Sequence, residues 1–478
     1  MRHLQRCPTP TRALWLAGGL AALVIAAACQ HDKAIDQPVK LTPITAPTLR
    51  VQRIWGANVG DKKSVKLRLG LGVTVANNRV YAAGHRGDVV AFDLASGRVQ
   101  WRANTRAPLS GGTAASADLV LIGSSDGQLF AFDAANGAAR WKARLNGEVL
   151  APATISERVI AVRTVDGKLH ALRPADGHEL WQQEQAVPRL SLRGTARPVI
   201  VGEAVLCGFD NGKVLAVNVN DGSVQWEATV TPPHGRTELE RLDDIDSAVM
   251  VAGEDVYAVG FQGRVAMLAL DTGQIWWSHD ASSYRGLTLD GDTLYVSTAE
   301  GEVVALKART GTEIWRQKAL LHRGLSAIAV MDNSVVTADY QGYVHWLDKA
   351  TGALAARVRA GKVRVSNPPM VAGNLVVVIN DRGQIDTYRV TPLTAAPARG
   401  KKARQEPTAE PTPAARPATS SEPSPAPPPS EPAAPPASEG AAAPPAGSAA
   451  PATSGPAPGS PTEPAPAPTP AGTPAEGK

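Results

Sequence analysis

Short runs in which apolar and polar side chains alternate, each closed by a turn, recur through the central part of the chain. Residues 126–141 show the unit. Asp126-Gly127 suits a tight turn, because glycine tolerates the positive φ that such turns need. Leu129, Ala131 and Asp133 then alternate with Phe130 and Phe132, a period of two that sends successive side chains to opposite faces of a strand. Asn136-Gly137 predicts a second turn, and Trp141 ends the unit on the following strand.

The unit repeats. First-turn glycines stand at Gly87, Gly127, Gly167, Gly212, Gly263, Gly301, Gly342 and Gly383. Fourteen residues after the first six stand Trp101, Trp141, Trp181, Trp226, Trp277 and Trp315; after Gly342 the position is Ala356. A second glycine follows ten residues after the first in seven copies, from Gly97 to Gly352. The intervals between first glycines are 40, 40, 45, 51, 38, 41 and 41 residues. A period near 40 built from short strands and turns, with no helical periodicity, predicts the blades of an all-β propeller. The six tryptophans read as structural, large apolar side chains that pack between neighbouring blades.

The eighth copy stops at Arg389-Val390 and lacks its last strand. The run Val51-Gln52-Arg53-Ile54-Trp55 resembles a Trp-ending strand with no glycine turn before it. Pairing it with residues 385–388 would close an eight-bladed ring with strands from both ends of the chain and remove two open sheet edges. A seven-bladed ring is the alternative, should the Gly383 copy prove only an edge hairpin.

The ends of the chain differ from this pattern. Arg2, Arg6 and Arg12 precede an apolar run at 13–25, which is shorter than the ~18 residues of a membrane-spanning helix, so residues 1–28 read as a signal peptide. Ala26-Ala27-Ala28-Cys29 resembles the bacterial lipobox, in which the cysteine is lipidated and becomes the first residue. Residues 29–50 then form the lipidated Cys29 and a polar tether, and 51–390 the propeller. Of the three cysteines only Cys207 remains for the mature domain, in the apolar run Ala204-Val205-Leu206-Cys207, where a thiol acts as a small hydrophobe. Neither a disulfide framework nor a cysteine metal set can be built.

Residues 391–478 form the tail. Its part from 401 onward holds 23 of the 39 prolines, with no aromatic residue and no Val, Ile, Leu or Met. Such a segment cannot bury enough apolar surface to offset its ordering entropy, and it is expected to be disordered. It carries five basic against seven acidic residues, a net −2, so residues 1–400 carry +7 within the net +5 of the chain. No Lys/Arg run interleaved with aromatics appears, and nucleic acid is not indicated.

Most candidate chemistry fails on context. Gly123-Ser124-Ser125-Asp126-Gly127 matches G-x-S-x-G, but that motif needs a strand-to-helix elbow, and here it falls in a turn of the repeat. The nine histidines show no HExxH or close ligand pair. Acidic residues cluster at Glu238, Glu240, Asp243, Asp244 and Asp246, beside Arg236 and Arg241. A carboxylate pair for acid–base work and a self-paired, solvated loop both account for that composition.

The two stretched intervals are more informative, because insertions in a repeat array map to loops on one face, often the binding face. The first contains Pro188-Arg189-Leu190-Ser191-Leu192-Arg193-Gly194, and the second spans residues 235–246. Leucine and arginine on exposed loops of a rigid scaffold have the composition of protein-interaction anchors. Lying in consecutive repeats, the two loops are expected to emerge side by side. Alternation would put Leu190 and Leu192 on one side, and Asp244 and Asp246 on one side.

The A-x-D-x-x-x-G-x-x-x-W repeats (residues 91–101 and 131–141) resemble pyrroloquinoline-quinone-type propeller repeats. Together with the lipobox-like end, L-S-L-R-G at 190–194 and G-R-T-E-L-E-R-L-D-D-I-D at 235–246, the chain resembles the BamB family over residues 29–390. Members of that family are lipoprotein subunits of the outer-membrane β-barrel assembly machinery. The resemblance implies an eight-bladed, non-enzymatic scaffold without a cofactor, anchored by lipid at the periplasmic face of the outer membrane. It implies binding to the periplasmic domains of the barrel subunit BamA, alongside other assembly-complex subunits, in support of β-barrel protein folding and insertion. Positions matching Leu190, Leu192, Arg193, Asp244 and Asp246 would contribute to that contact, the aspartates either directly or by bracing Arg193. Gln30 after the cysteine fits export to the outer membrane.

Two other classes stay open at this point. A quinoprotein dehydrogenase shares the blade motif, but would need Ca²⁺ ligands, a catalytic Asp and commonly adjacent cysteines, and only Cys207 is at hand. A cell-wall-binding propeller would use the Pro/Ala-rich tail as a tether to peptidoglycan.

Overall fold

The computed structural model describes residues 37–60, 71–192, 194–237 and 239–393. The signal segment, Cys29, Arg193, Glu238 and the Pro/Ala-rich tail from residue 394 onward lie outside the described residues.

Each repeat folds as a four-stranded antiparallel sheet, and there are eight. In order they are blade 1 (residues 74–104), blade 2 (114–144), blade 3 (154–184), blade 4 (199–229), blade 5 (250–280), blade 6 (287–317), blade 7 (329–359) and blade 8. Blade 8 combines Met370–Ala372, Leu375–Ile379 and Gln384–Pro392 with the N-terminal strand Leu49–Asn58. The eight-bladed ring with shared closure is therefore the architecture. The closing strand runs in register from Leu49 opposite Pro392 to Asn58 opposite Gln384. It begins two residues before the expected boundary at Val51, and its partner runs on past Val390 to Pro392.

The turn glycines do what the pattern requires. Gly127, at φ +77°, turns the chain from Leu119–Gly123 into Gln128–Asp133. The first-glycine turns and the blade-to-blade connections share one face of the ring, here called the loop face. Thr105, Gln185 and Val230, which follow the fourth strands, donate their N–H groups to the carbonyls of Gly87, Gly167 and Gly212.

There is no single core. Eight apolar clusters each span two adjacent blades, as expected for a quasi-one-dimensional repeat array. Period-two alternation is the cause. In the second strand of blade 4, Ala204 and Leu206 face blade 5, while Val205 and Cys207 face blade 3. Burial among these side chains pushes the Cys207 thiol up to about 11, so it is an inert core group.

The tryptophans join blades in a second way. Trp181 donates its indole N–H to Val219 O of blade 4 at 3.0 Å, and Trp101 donates to Ala134 O of blade 2 at 3.0 Å. Trp55, Trp141, Trp226, Trp277 and Trp315 make the same bond to the blade that follows. In every case the acceptor stands three residues before the second-turn glycine of the next blade. That glycine lies under the ring: a Cβ added at Gly222 would come within 2.6 Å of Trp181. The glycine is thus required twice, by its positive φ of +73° and by the indole above it.

The exception at Ala356 follows from the closure. Blade 8 has no turn between its third and fourth strands, because its fourth strand comes from the N-terminus. Blade 7 therefore has no carbonyl and no glycine to dock an indole against. Large and small residues exchange places across its strands: Trp346 pairs with Ala356, where blade 2 pairs Ala131 with Trp141. Trp346 is fully buried and meets Tyr388 of blade 8 edge-on, centroids 6.5 Å apart.

Candidate functional site

The two inserted loops connect blades 3 to 4 and 4 to 5, and both lie on the loop face. They are packed against each other as well as against the ring. Ile245 is the fixed point of the second loop: it is fully buried in the blade 4–5 core, and its N–H donates to Phe209 O at 3.1 Å. Asp244 and Asp246 flank it on the opposite side and reach the first loop. The Leu192 N–H donates to the Asp244 carboxylate. Asp246 lies against Gly194, where an added Cβ would stand 2.5 Å from its carboxylate. The expected sharing of a side by Asp244 and Asp246 is what the structure shows.

These carboxylates are not part of a solvated loop. Asp243 and Asp244 are buried, and His234 Nδ1 stands 3.8 Å from the Asp243 carboxylate. Burial pushes Asp244 up to about 7, with Asp210 and Asp243 adding to the rise and the Leu192 N–H and Arg163 opposing it. Burial likewise raises Asp246 well above the carboxylate range, and Asp244 and Asp210 push it further. Only the tip of the second loop matches the solvated, self-paired reading. There Glu240 accepts from the N–H groups of Arg236 and Thr237 at 2.8 and 3.1 Å, and the Thr237 hydroxyl accepts from the Glu240 N–H.

Leu190 is 43% exposed, whereas Leu192 is half-buried, so the two do not form one equal knob. Arg193 lies outside the described residues. Val187, 40% exposed, and Leu239, 64% exposed at the tip of the second loop, add apolar surface that the leucine–arginine motif did not single out.

Sequence reasoning also missed the cations under the loops. Arg163 is fully buried, donates to Gly208 O at 2.8 Å and Asp210 Oδ1 at 2.9 Å, and lies over the Phe209 ring at 4.1 Å. Its signal was available: four residues before each first glycine the other copies carry Ala83, Gly123, Gly208, Val259, Ser297, Ala338 and Ile379. A long cation at a position otherwise small or apolar marks a special site. Arg285, half-buried between blades 5 and 6, is the second cation near Asp246.

The serine-hydrolase pattern does not assemble. Ser124 Oγ closes its own turn through Asp126 Oδ1 at 2.5 Å and Gln128 O at 3.0 Å, and a strand follows. Among the described residues no three His, Cys, Asp or Glu side chains converge as metal ligands do.

The family model described as "Outer membrane protein assembly factor BamB" matches residues 51–108, 85–317 and 299–422. The protein of that name from Pseudomonas aeruginosa is 42% identical over 369 residues, covering 77% of this chain and 97% of its own. The crystal structure of BamB from Moraxella catarrhalis superposes with a TM-score of 0.65 at 27% identity, covering 71% of this chain and all of that one. A quinohemoprotein alcohol dehydrogenase from Comamonas testosteroni superposes at 0.57 with 12% identity, over 71% of this chain and 76% of its own, a likeness of fold alone. With the family model matching most of the chain and a relative covered over nearly its whole length, the chain belongs to the family of the outer membrane protein assembly factor BamB.

Proposed function

We propose that this protein is a lipid-anchored scaffold of the outer-membrane assembly machinery, at its periplasmic face, that binds the periplasmic domains of BamA through the paired loops. The observation that carries the reading is the mutual bracing of the loops: Asp244 holds the Leu192 N–H, and Leu190 is left standing in solvent. A pre-ordered apolar anchor loses little conformational freedom on binding, which is what an interface core needs. Leu190, Leu192 and Arg193 are the contact residues in this reading. Asp244 and Asp246 act through them, by fixing the loop that presents them.

The test is binding of the purified protein to BamA's periplasmic domains. Leu190→Ala combined with Arg193→Ala is expected to weaken it by at least about thirtyfold, or about 2 kcal/mol, with an unchanged melting temperature. Intact binding in that variant would remove the loops from the interface. The anchor is tested separately. Cys29→Ala should release the protein from outer-membrane fractions, and a wild type that takes up no labelled fatty acid would end the lipoprotein reading.

A further inference from the structure

Residues 37–48 run along blade 7 without regular structure. The Val39 N–H donates to Leu321 O at 3.1 Å, and Val39 O accepts from Arg323 Nη1 at 3.0 Å. Thr42 O accepts from Arg357 Nη1 at 2.9 Å, and the Thr48 N–H donates to Ala355 O at 3.1 Å. Leu321 and Arg323 belong to the connection between blades 6 and 7, on the loop face. The strand that follows Thr48 starts at the opposite face and runs back to the loop face at Asn58. The strap therefore reaches the ring on the loop face, at a rigid point. Arg323 is itself buried and held by Asp339 Oδ2 at 2.7 Å and Gln341 Oε1 at 2.7 Å.

Ten residues separate Cys29 from Val39, at most about 35 Å of extended chain. A lipid on Cys29 would keep this side of the loop face within that distance of the membrane. The same side is basic. From the strap's point of arrival the loop face carries, in order around the ring, Arg359 at the end of blade 7, Lys362 and Arg364 in the connection to blade 8, Arg382 of blade 8, and Arg106 after blade 1; Arg364 is shared with Asp381, 3.7 Å away. Among the described residues, the carboxylates of these blades on that face are fewer: Asp339 and Asp381 are buried, and Asp88, half-buried, accepts from Asn104 Nδ2 at 3.1 Å. Blades 2 and 3, in contrast, expose Asp126 and Asp166 on the loop face.

We infer that the basic arc of blades 7, 8 and 1 rests on an anionic lipid surface, its arginines and lysine against phosphate headgroups of the membrane that the strap approaches. The arc lies across the face from the paired loops, so both surfaces can be occupied at once. The inference rests on the lipid-anchor reading for its geometry, but its test does not use the lipid. Each basic residue near an anionic surface contributes roughly fivefold to binding, and salt screens the attraction within about 10 Å.

The experiment is co-sedimentation of the full mature chain, unlipidated through Cys29→Ser, with vesicles of phosphatidylethanolamine and phosphatidylglycerol at low salt. Binding is expected to phosphatidylglycerol vesicles and not to neutral phosphatidylcholine vesicles. Arg106→Glu with Lys362→Glu and Arg382→Glu should weaken it by about a hundredfold or more. Lys142→Glu with Arg144→Glu and Lys168→Glu, the same charge change on blades 2 and 3, should leave it nearly unchanged. Should the triple variant melt early, Lys362→Glu alone, at an exposed loop residue, is expected to weaken binding measurably. No binding, equal binding to neutral vesicles, or equal loss in the two triple variants would overturn the inference. Failure of Cys29 labelling with intact vesicle binding would instead overturn the anchor alone.

Discussion

Trp181→Ala is expected to cost about 3–5 kcal/mol in denaturant melts, as for other buried tryptophan truncations. The side chain is 8% exposed and packs in the blade 3–4 cluster with Leu169, Val205, Leu215 and Val217. Its truncation opens a void that the ring cannot close, because each blade is held by neighbours on both sides. It also strips Val219 O of its indole donor and uncovers Gly222. Trp181→Phe separates the two effects, keeping most of the packing while losing the hydrogen bond, which is worth about 1 kcal/mol. Trp276, 60% exposed on the outer strand of blade 5, is the control, and its replacement by alanine should stay within about 0.5 kcal/mol. A loss below about 1 kcal/mol at Trp181 would contradict the docking of each indole on the next blade.

That docking explains how far the fold could be read from the chain. The Gly-to-Trp spacing is legible because one contact, indole on glycine, fixes both residues and their separation in consecutive blades. The closure is legible for the complementary reason: the eighth repeat lacks a strand, and the N-terminus supplies one with its own Trp55. Ala356 was visible as a gap but not as an exchange, since nothing in its own repeat shows that blade 8 has no third turn. The strap is less legible still. Residues 37–48 are polar and without periodicity, and what holds them is a set of backbone carbonyls facing Arg323 and Arg357, which no local pattern encodes. The acidic loop misleads for a related reason. Charge density alone suggests a solvated segment, whereas Ile245 in the core draws its flanking aspartates under the first loop.

The burial of Asp244 yields a pH dependence whose sign is opposite to that of an ordinary paired carboxylate. Its folded value lies at about 7, above the value of about 3.9 in an unfolded chain. Between these limits the folded protein binds more protons than the unfolded one. This group's contribution is therefore full at low pH, declines as pH rises through the window from about 4 to 7, and is flat above it. Asp246 acts in the same sense. Buried His345, whose burial lowers it, acts in the opposite sense within part of the window, so the melting curve of the wild type alone does not isolate the effect. The difference between wild type and Asp244→Asn does. The amide oxygen can still accept from the Leu192 N–H, and it carries no charge to bury. The variant is expected to gain on the order of 2–4 kcal/mol over wild type at pH 8, and much less near pH 5. A gain that does not grow with pH would show that Asp244 is already compensated when ionised. Asp244→Ala, which removes the acceptor, should instead loosen the first loop and weaken BamA binding even where it stabilises the ring. A protein that keeps a destabilising ionised group beneath two loops is trading stability for the shape of the surface they present.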